Sequence, residues 1–454
     1  MCGIFFHYGK ISNNKKSRFK KNFLRFLKRR GPDGVKEIRK ENLYALHSRL
    51  AITGSQEQPI ENKNFLFLYN GEIYNDWKKY KKNYGDAQYL NNFIKKFGYT
   101  KFKNLDGEYA IIIYDKIKNN LHLVSDVFGT KPMAYAVCAN QVFVSSYEKT
   151  LLDLNIKKKY IKYLDPNTHL KIELNTFKIK KKFEYKKFSF LSNKKINYSH
   201  FYKAFENSIL KRSKNTQKKI FVPLSSGIDS GAIAGFMNYK NIKFKSYIVS
   251  FDEDINILKK RKAILIKNSQ KIKELKITNN IKKIEQKFLK SNAPFYNINI
   301  DYKPYLSDDY RDIPGFIATS KICRIARNEK NLILMSGQGG DEIISDYFNQ
   351  FTNSRRSCFK GNWKLAKRPW YNFYNGWNKV YLAAIERVAG CHGIETRYPL
   401  LDFDLIQTFL KLPPDLKGKI YKAPIVNILK KIKFPYNLEK VGFTGYKSKR
   451  KKYK

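Results

Sequence analysis

The residue in this chain best placed for covalent chemistry is the cysteine directly after the initiator methionine, Cys2 in Met1-Cys2-Gly3. Removal of Met1 would leave a thiol beside its own α-amine. An α-amine titrates near pH ~8 and a thiol near ~8.5, so protons can pass between the two. A second string, Leu224-Ser225-Ser226-Gly227-Ile228-Asp229-Ser230, reads as strand, small-residue turn and helix start. Hydroxyls and backbone N–H groups at a helix N-terminus cradle phosphate. The string is no Walker A loop, since no Gly-Lys-Ser/Thr follows, but Asp229 adds a carboxylate for a metal. Ser336-Gly337-Gln338-Gly339-Gly340-Asp341-Glu342 follows another apolar strand and supplies Asp341. Two carboxylates on neighbouring strand ends can share a Mg²⁺ bound to pyrophosphate. A thiol and an ATP site on one chain predict coupled chemistry.

Further strings supply partners for the thiol. Arg49, in Ser48–Ile52, can clamp a carboxylate in bidentate fashion. Asn70 and Gly71 can form an oxyanion hole from a side-chain amide and a backbone N–H. Asp86, after Gly85, offers a carboxylate to a substrate ammonium. Taken singly these are ordinary: Asn-Gly is a common turn, and a lone acid is usually a solvated one.

The elements that must hold these residues change rhythm midway. The first half reads as short strands over Leu43–Ile52, Asn64–Tyr69, Glu108–Tyr114, Leu121–Ser125, Met133–Cys138 and Gln141–Ser145, with helices at Arg18–Arg30 and Tyr89–Phe97. That predicts an antiparallel α+β domain with helices covering sheets. A lysine-rich stretch from about Lys178 to Lys195 reads as the connecting region. The second half alternates: helix His200–Lys211, strand Ile220–Leu224, helix Ser230–Asn238, strand Phe244–Phe251, lysine-rich helices across Ile255–Ser291, helix Gly315–Asn328 and strand Leu332–Met335. Helices near Trp377–Val388, Phe403–Leu410 and Tyr421–Lys431 follow. Alternation implies a parallel sheet, whose ligands bind beyond the carboxyl ends of its strands.

Composition bounds the rest. The 454 residues suffice for two or three cores, and no run of eighteen apolar residues suggests a membrane span. Five cysteines at 2, 138, 323, 358 and 391, with no signal-peptide pattern, fit a reducing, cytoplasmic setting. The net charge of +52 comes from lysine spread along the whole length, dense only at Lys178–Lys187 and Lys447–Lys454. With Asn, Ile, Phe and Tyr also abundant, it reads as A/T-rich codon usage, and nucleic acid is not the expected partner.

In their order, Cys2, Arg30–Gly34, Arg49, Asn70–Asn75, Gly85-Asp86, Leu105–Ala110 and Asp126–Pro132 closely resemble the class II glutamine amidotransferase domain. From about residue 200 to 430, both acidic loops, Gly393–Asp402 and Lys422 look like the synthetase domain of glutamine-hydrolysing asparagine synthetases. The resemblance implies an N-terminal-nucleophile α+β sandwich at 1–185, a linker at 186–198, and an α/β ATP-pyrophosphatase-like domain at 199–454. It implies glutamine hydrolysis by Cys2, with Asn70 and Gly71 catalytic, and glutamine held by Arg49, Leu50, Ala51, Ile52, Thr53, Asn70, Gly71, Glu72 and Asp86. It further implies ATP bound by Leu224, Ser225, Gly227, Ser230, Val249, Ser336 and Gly337. Asp229 and Asp341 would take Mg²⁺, and Lys422 would steady charge at the reacting phosphate. ATP would be split to AMP and pyrophosphate through an acyl-adenylate that ammonia attacks. A homodimer is left open.

Five departures from the family accompany this. Ser125 stands where the family has arginine before Asp126, and is expected to alter a structural ion pair. Ser226 replaces the first loop glycine, putting a side chain where backbone would approach phosphate. Gln338 replaces the glutamate of Ser-Gly-Glu, and glutamine cannot take up a proton. The chain also stops sooner after Lys422, and Ile255–Ile300 shows no acceptor signature. The resemblance implies asparagine synthesis from aspartate, and the departures bear on the acceptor rather than on ATP activation. The alternatives are the same mechanism on a different carboxylate (sugar, peptide or metabolite acid), or a degenerate synthetase keeping only glutaminase or binding activity.

Overall fold

The computed structural model describes residues 1–10, 13–77, 85–214, 216, 218–249, 253–296, 309–348 and 356–438. Its first half is two facing six-stranded sheets. One runs, in spatial order, Ile161–Tyr163, Ala134–Cys138, Gln141–Ser145, Gly3–Tyr8, Leu43–Arg49, Gly34–Lys40. The other runs Ile179–Phe183, Thr168–Glu173, Asn120–Ser125, Gly107–Asp115, Phe65–Ile73, Ile60–Glu61. Every pairing given within them is antiparallel.

Side chains alternate across a strand, and here both faces are covered. Ile4 and Phe6 enter the space between the sheets with Leu66, Leu68, Ala110 and Ile112. Phe5 turns outward against Phe19, Phe23 and Leu27 of helix Asn13–Arg30. Phe65, Phe67 and Tyr69 likewise meet Leu90, Phe93 and Ile94 of helix Asp86–Phe97. The result is helix, sheet, sheet, helix: the expected α+β sandwich.

The second half carries a five-stranded parallel sheet, ordered Lys271–Leu275, Lys245–Val249, Lys219–Pro223, Asn331–Met335, Glu395–Arg397. The first strand in sequence is central, so the chain reverses its direction of travel between Lys219–Pro223 and Asn331–Met335. Open α/β sheets bind ligands at such a switch point. Ser225 and Ser336 follow those two strands.

Three expectations need correction. The lysine-rich helices across Ile255–Ser291 are interrupted by strand Lys271–Leu275, between helices Ile255–Lys267 and Asn279–Asn292. Its lysines occupy the exposed edge of the sheet, where charge is the usual protection. The connecting stretch is not linker as far as residue 183, because Ile179–Phe183 pairs with Thr168–Glu173. Strand Leu43–Ile52 ends at Arg49, which frees Leu50–Thr53 as a loop beside Cys2. Residues 250–251, the end of the expected strand Phe244–Phe251, and the Lys447–Lys454 tail lie outside the described residues.

The halves meet through buried ion pairs. Arg212 reaches Glu108 at 2.7 Å and Asp402 at 2.8 Å, and Lys211 reaches Asp106 at 2.6 Å. Glu386 takes Arg30 at 3.0 Å and Lys131 at 2.9 Å.

Candidate active sites

Cys2 immediately precedes strand Gly3–Tyr8 of the first sheet, and its backbone N donates to Asn70 Oδ1 at 2.7 Å. That contact uses one end of the amide. Asn70 Nδ2 is buried and has no hydrogen-bond partner. Asn70 and Gly71 do not form a turn here; they lie inside strand Phe65–Ile73. Gly71 takes φ +129°, and a Cβ there would sit 1.8 Å from Glu108 O, so only glycine lets the neighbouring strand approach.

Leu50 N donates to Cys2 Sγ at 3.5 Å. Burial pushes the thiol up, opposed by the nearby terminal amine, while burial lowers that amine, carried here by Met1, to about 6. Protons therefore favour the sulfur over the amine more than they would in water.

A cavity of about 30 Å³ beside the thiol is lined by Cys2, Arg49, Leu50, Thr53, Gly71, Glu72 and Asp86 among others. Ala51, Ile52 and Asn70 do not line it. Ile52 is buried in the core of the second half instead. Thr53 Oγ1 donates to Asp86 Oδ1 at 2.8 Å, and Ile73 N to Asp86 Oδ2 at 3.3 Å. The Arg49 guanidinium donates to the carbonyls of Gly54 and Ser55, at 2.6 and 3.1 Å. Tyr69, Gln56, Gln58 and Glu395 also line the cavity, and sequence reasoning did not find them. Tyr69 sits one residue before Asn70 and lines the cavity with Asp86. Glu395 comes from the other half of the chain.

The second cavity, about 240 Å³, lies at the switch point of the parallel sheet. Leu224, Ser225, Gly227, Asp229, Ser230, Ser336, Gly337, Gln338, Asp341 and Lys422 all line it. Val249 does not; it is buried at the end of the neighbouring strand. Ser225 Oγ and Ser230 Oγ lie 2.7 Å apart, and Gly227 N donates to Ser225 Oγ at 3.1 Å.

Lys422 is buried, with Nζ 2.5 Å from Asp229 Oδ2 and 2.9 Å from Asp341 Oδ1. Burial alone would lower this ammonium, but the two carboxylates hold it well above its ordinary value. Tyr421 OH donates to Asp341 Oδ1 at 2.7 Å. Two carboxylates converging on one cation are hard oxygen donors of the kind Mg²⁺ takes alongside phosphate and water. Among the described residues there is no group of three or more His, Cys, Asp or Glu side chains able to hold a metal. Asp229 and Asp341 thus fit an ion that substrate phosphates also coordinate.

Two departures resolve structurally. Ser226 does not line the cavity. Its hydroxyl donates to Glu253, and its N donates to the same carboxylate at 2.5 Å. Ser125 Oγ donates to Asp165 O at 2.6 Å, tying strand end to loop. Asp126 is held by Tyr109 N at 3.0 Å and by Thr130 N at 2.9 Å. Burial pushes Asp126 up to about 6. Gln338 is different: it lines the nucleotide cavity, as does Glu342 four residues on.

A family model described as a glutamine amidotransferase domain matches residues 1–202. One described as asparagine synthase matches residues 200–379 and 359–435. The chain is 26% identical over 464 residues to a putative asparagine synthetase (glutamine-hydrolyzing) 1 of Methanocaldococcus jannaschii, covering 89% of this chain and 79% of that protein. It is 24% identical to the asparagine synthetase (glutamine-hydrolyzing) of Gallus gallus, covering 92% of this chain and 78% of that protein. Among solved structures, a glutamine phosphoribosylpyrophosphate amidotransferase of B. subtilis overlaps 61% of this chain and 81% of its own, at 13% identity and a TM-score of 0.32.

Proposed function

The chain belongs to the asparagine synthase family, and on that premise we propose that it forms asparagine from aspartate, with glutamine as nitrogen donor and ATP as energy source. The carrying observation is that one chain builds two separate cavities, a thiol pocket and a phosphate-loop pocket, each with its polar groups aimed inward.

Glutamine would lie with its α-ammonium toward Asp86 and Glu72 and its side-chain amide over Cys2. Once Met1 is removed, the Cys2 amine takes the thiol proton. The sulfur attacks the amide carbon and forms an S–C bond. Asn70 Nδ2 and Gly71 N–H receive the oxyanion. The C–N bond then breaks, the protonated amine returns its proton to nitrogen, and ammonia leaves. Water cleaves the thioester to glutamate.

At the other cavity, hydroxyls and N–H groups of Ser225, Gly227, Ser230, Ser336 and Gly337 would hold ATP. Asp229 and Asp341 would hold Mg²⁺, which neutralises charge on the departing pyrophosphate. Lys422 lies against both acids and would steady the α-phosphate as the acceptor carboxylate displaces pyrophosphate. Ammonia attacks the acyl carbon of the adenylate, and AMP departs.

Gln338 favours a second reading, in which the acceptor is another carboxylic acid. Incubation with glutamine, ATP, Mg²⁺ and aspartate, followed by mass spectrometry, separates the two. Asparagine and AMP in equal amounts support the first reading. AMP formed only with another acid supports the second, and glutamate without AMP refutes both.

A further inference from the structure

Glu395 belongs by sequence to the nucleotide half, yet it lines the thiol cavity with Cys2, Glu72 and Asp86. Its strand explains how. Glu395–Arg397 is the edge strand of the parallel sheet, in register Ile333↔Glu395 and Met335↔Arg397. Alternation puts Glu395 and Arg397 on one face and Thr396 on the other. Arg397 pairs with Glu395 at 2.8 Å and with Glu72 at 3.3 Å, and all three side chains are almost fully buried.

Arg397 thus bridges the two carboxyl groups inside the molecule. Burial, then the charges of Glu395 and Asp86, push Glu72 well above its ordinary range. Burial would raise Glu395 too, but Arg397 holds it below. At its other end the same residue reaches the nucleotide loop: Arg397 O accepts from Ser336 N at 2.9 Å.

We infer that Glu395 is a positioning residue of the glutamine site. It shares the Arg397 clamp with Glu72, and so fixes the wall against which the substrate's α-ammonium docks. That wall is thereby built on the strand hydrogen-bonded to Ser336 N through Arg397 O, and the glutamine pocket is complete only with the nucleotide half docked. The inference rests on reading the thiol cavity as a glutamine site.

The test uses the full chain with Met1 removed and follows glutamate release from glutamine, with MgATP binding as a second readout. Glu395→Gln keeps the shape and removes the charge. It should raise KM for glutamine roughly ten- to a hundredfold, as loss of a charge-assisted hydrogen bond does, with a smaller change in kcat. MgATP binding should stay within about twofold. Glu395→Asp should recover part of the KM. Adding Glu395→Gln to Glu72→Gln should cost little more than Glu72→Gln alone, since Glu395 acts through Glu72.

An unchanged KM in Glu395→Gln, additive effects of the two changes, or parallel loss of KM and MgATP binding would each overturn the assignment. Should Glu395→Gln fail to fold, Glu395→Asp decides it by the same KM criterion. A parent protein that releases no glutamate refutes the glutamine reading itself, before any variant is compared.

Discussion

Asn70 is a small example of how much one amide can do. Its oxygen takes the Cys2 N–H, which leaves its nitrogen buried and unpartnered beside the thiol. On the proposed reading, this donor serves a charge that exists only during reaction. Asn70→Ala should lower kcat for glutamate release by roughly 10²–10³-fold. Cys2→Ala should abolish glutamine use while free ammonium still supports AMP formation. Persistence of glutamine-driven activity in Cys2→Ala would place the nucleophile elsewhere. These residues were legible because their types sit in short strings whose chemistry is local. Glu395 was quoted with its neighbours but assigned to the nucleotide half, because nothing local tells a glutamate that a distant sheet will bring it to a thiol.

At the scale of elements, the two phosphate-side loops make opposite predictions. Gly340 leaves room for Asp229: a Cβ there would meet Asp229 Oδ1 at 2.3 Å. Gly340→Ala should displace that carboxylate and cut AMP formation at least about tenfold while glutamine hydrolysis survives, since no thiol-site residue moves. Ser226→Gly, which restores the family residue, should leave MgATP affinity within about threefold, because the Ser226 hydroxyl already faces Glu253 and not the cavity. A tenfold gain in affinity would show that the side chain does obstruct phosphate.

The strands were legible where apolar runs are strong, as in Phe65–Tyr69, and hidden elsewhere. Gly34–Lys40 and Ile179–Phe183 are lysine-bearing edge strands whose exposed faces dilute the pattern. Gly3–Tyr8 lacks the alternation that marks a half-buried strand, because both its faces are covered. Its apolar character comes from a helix on one face and a sheet on the other.

At the scale of the molecule, composition could place two domains but not their docking, which depends on charges far apart in sequence. Asp402 joins Lys211 and Arg212, which in turn reach Asp106 and Glu108 of the other half. Burial would raise Asp402, but Lys211 and Arg212 hold it well below its ordinary value. A carboxyl depressed on folding adds stability above its unfolded pKa, near ~4, and loses that share as pH falls through the folded value. Asp402→Asn should therefore lower unfolding free energy by about 3–5 kcal/mol at neutral pH, since it strands buried cations. The deficit should narrow only below pH ~4, as denaturant titrations at several pH values would show.

The central claim is that nitrogen freed at Cys2 is used at the nucleotide cavity of the same chain. Glutamine carrying heavy nitrogen in its side-chain amide, supplied with ATP, Mg²⁺, aspartate and an excess of unlabelled ammonium, tests it most directly. The account predicts that the amide formed carries the heavy isotope well above its share of total ammonia. Product labelled only in proportion to the mixed pool, or heavy ammonia released with no amide formed, would contradict it.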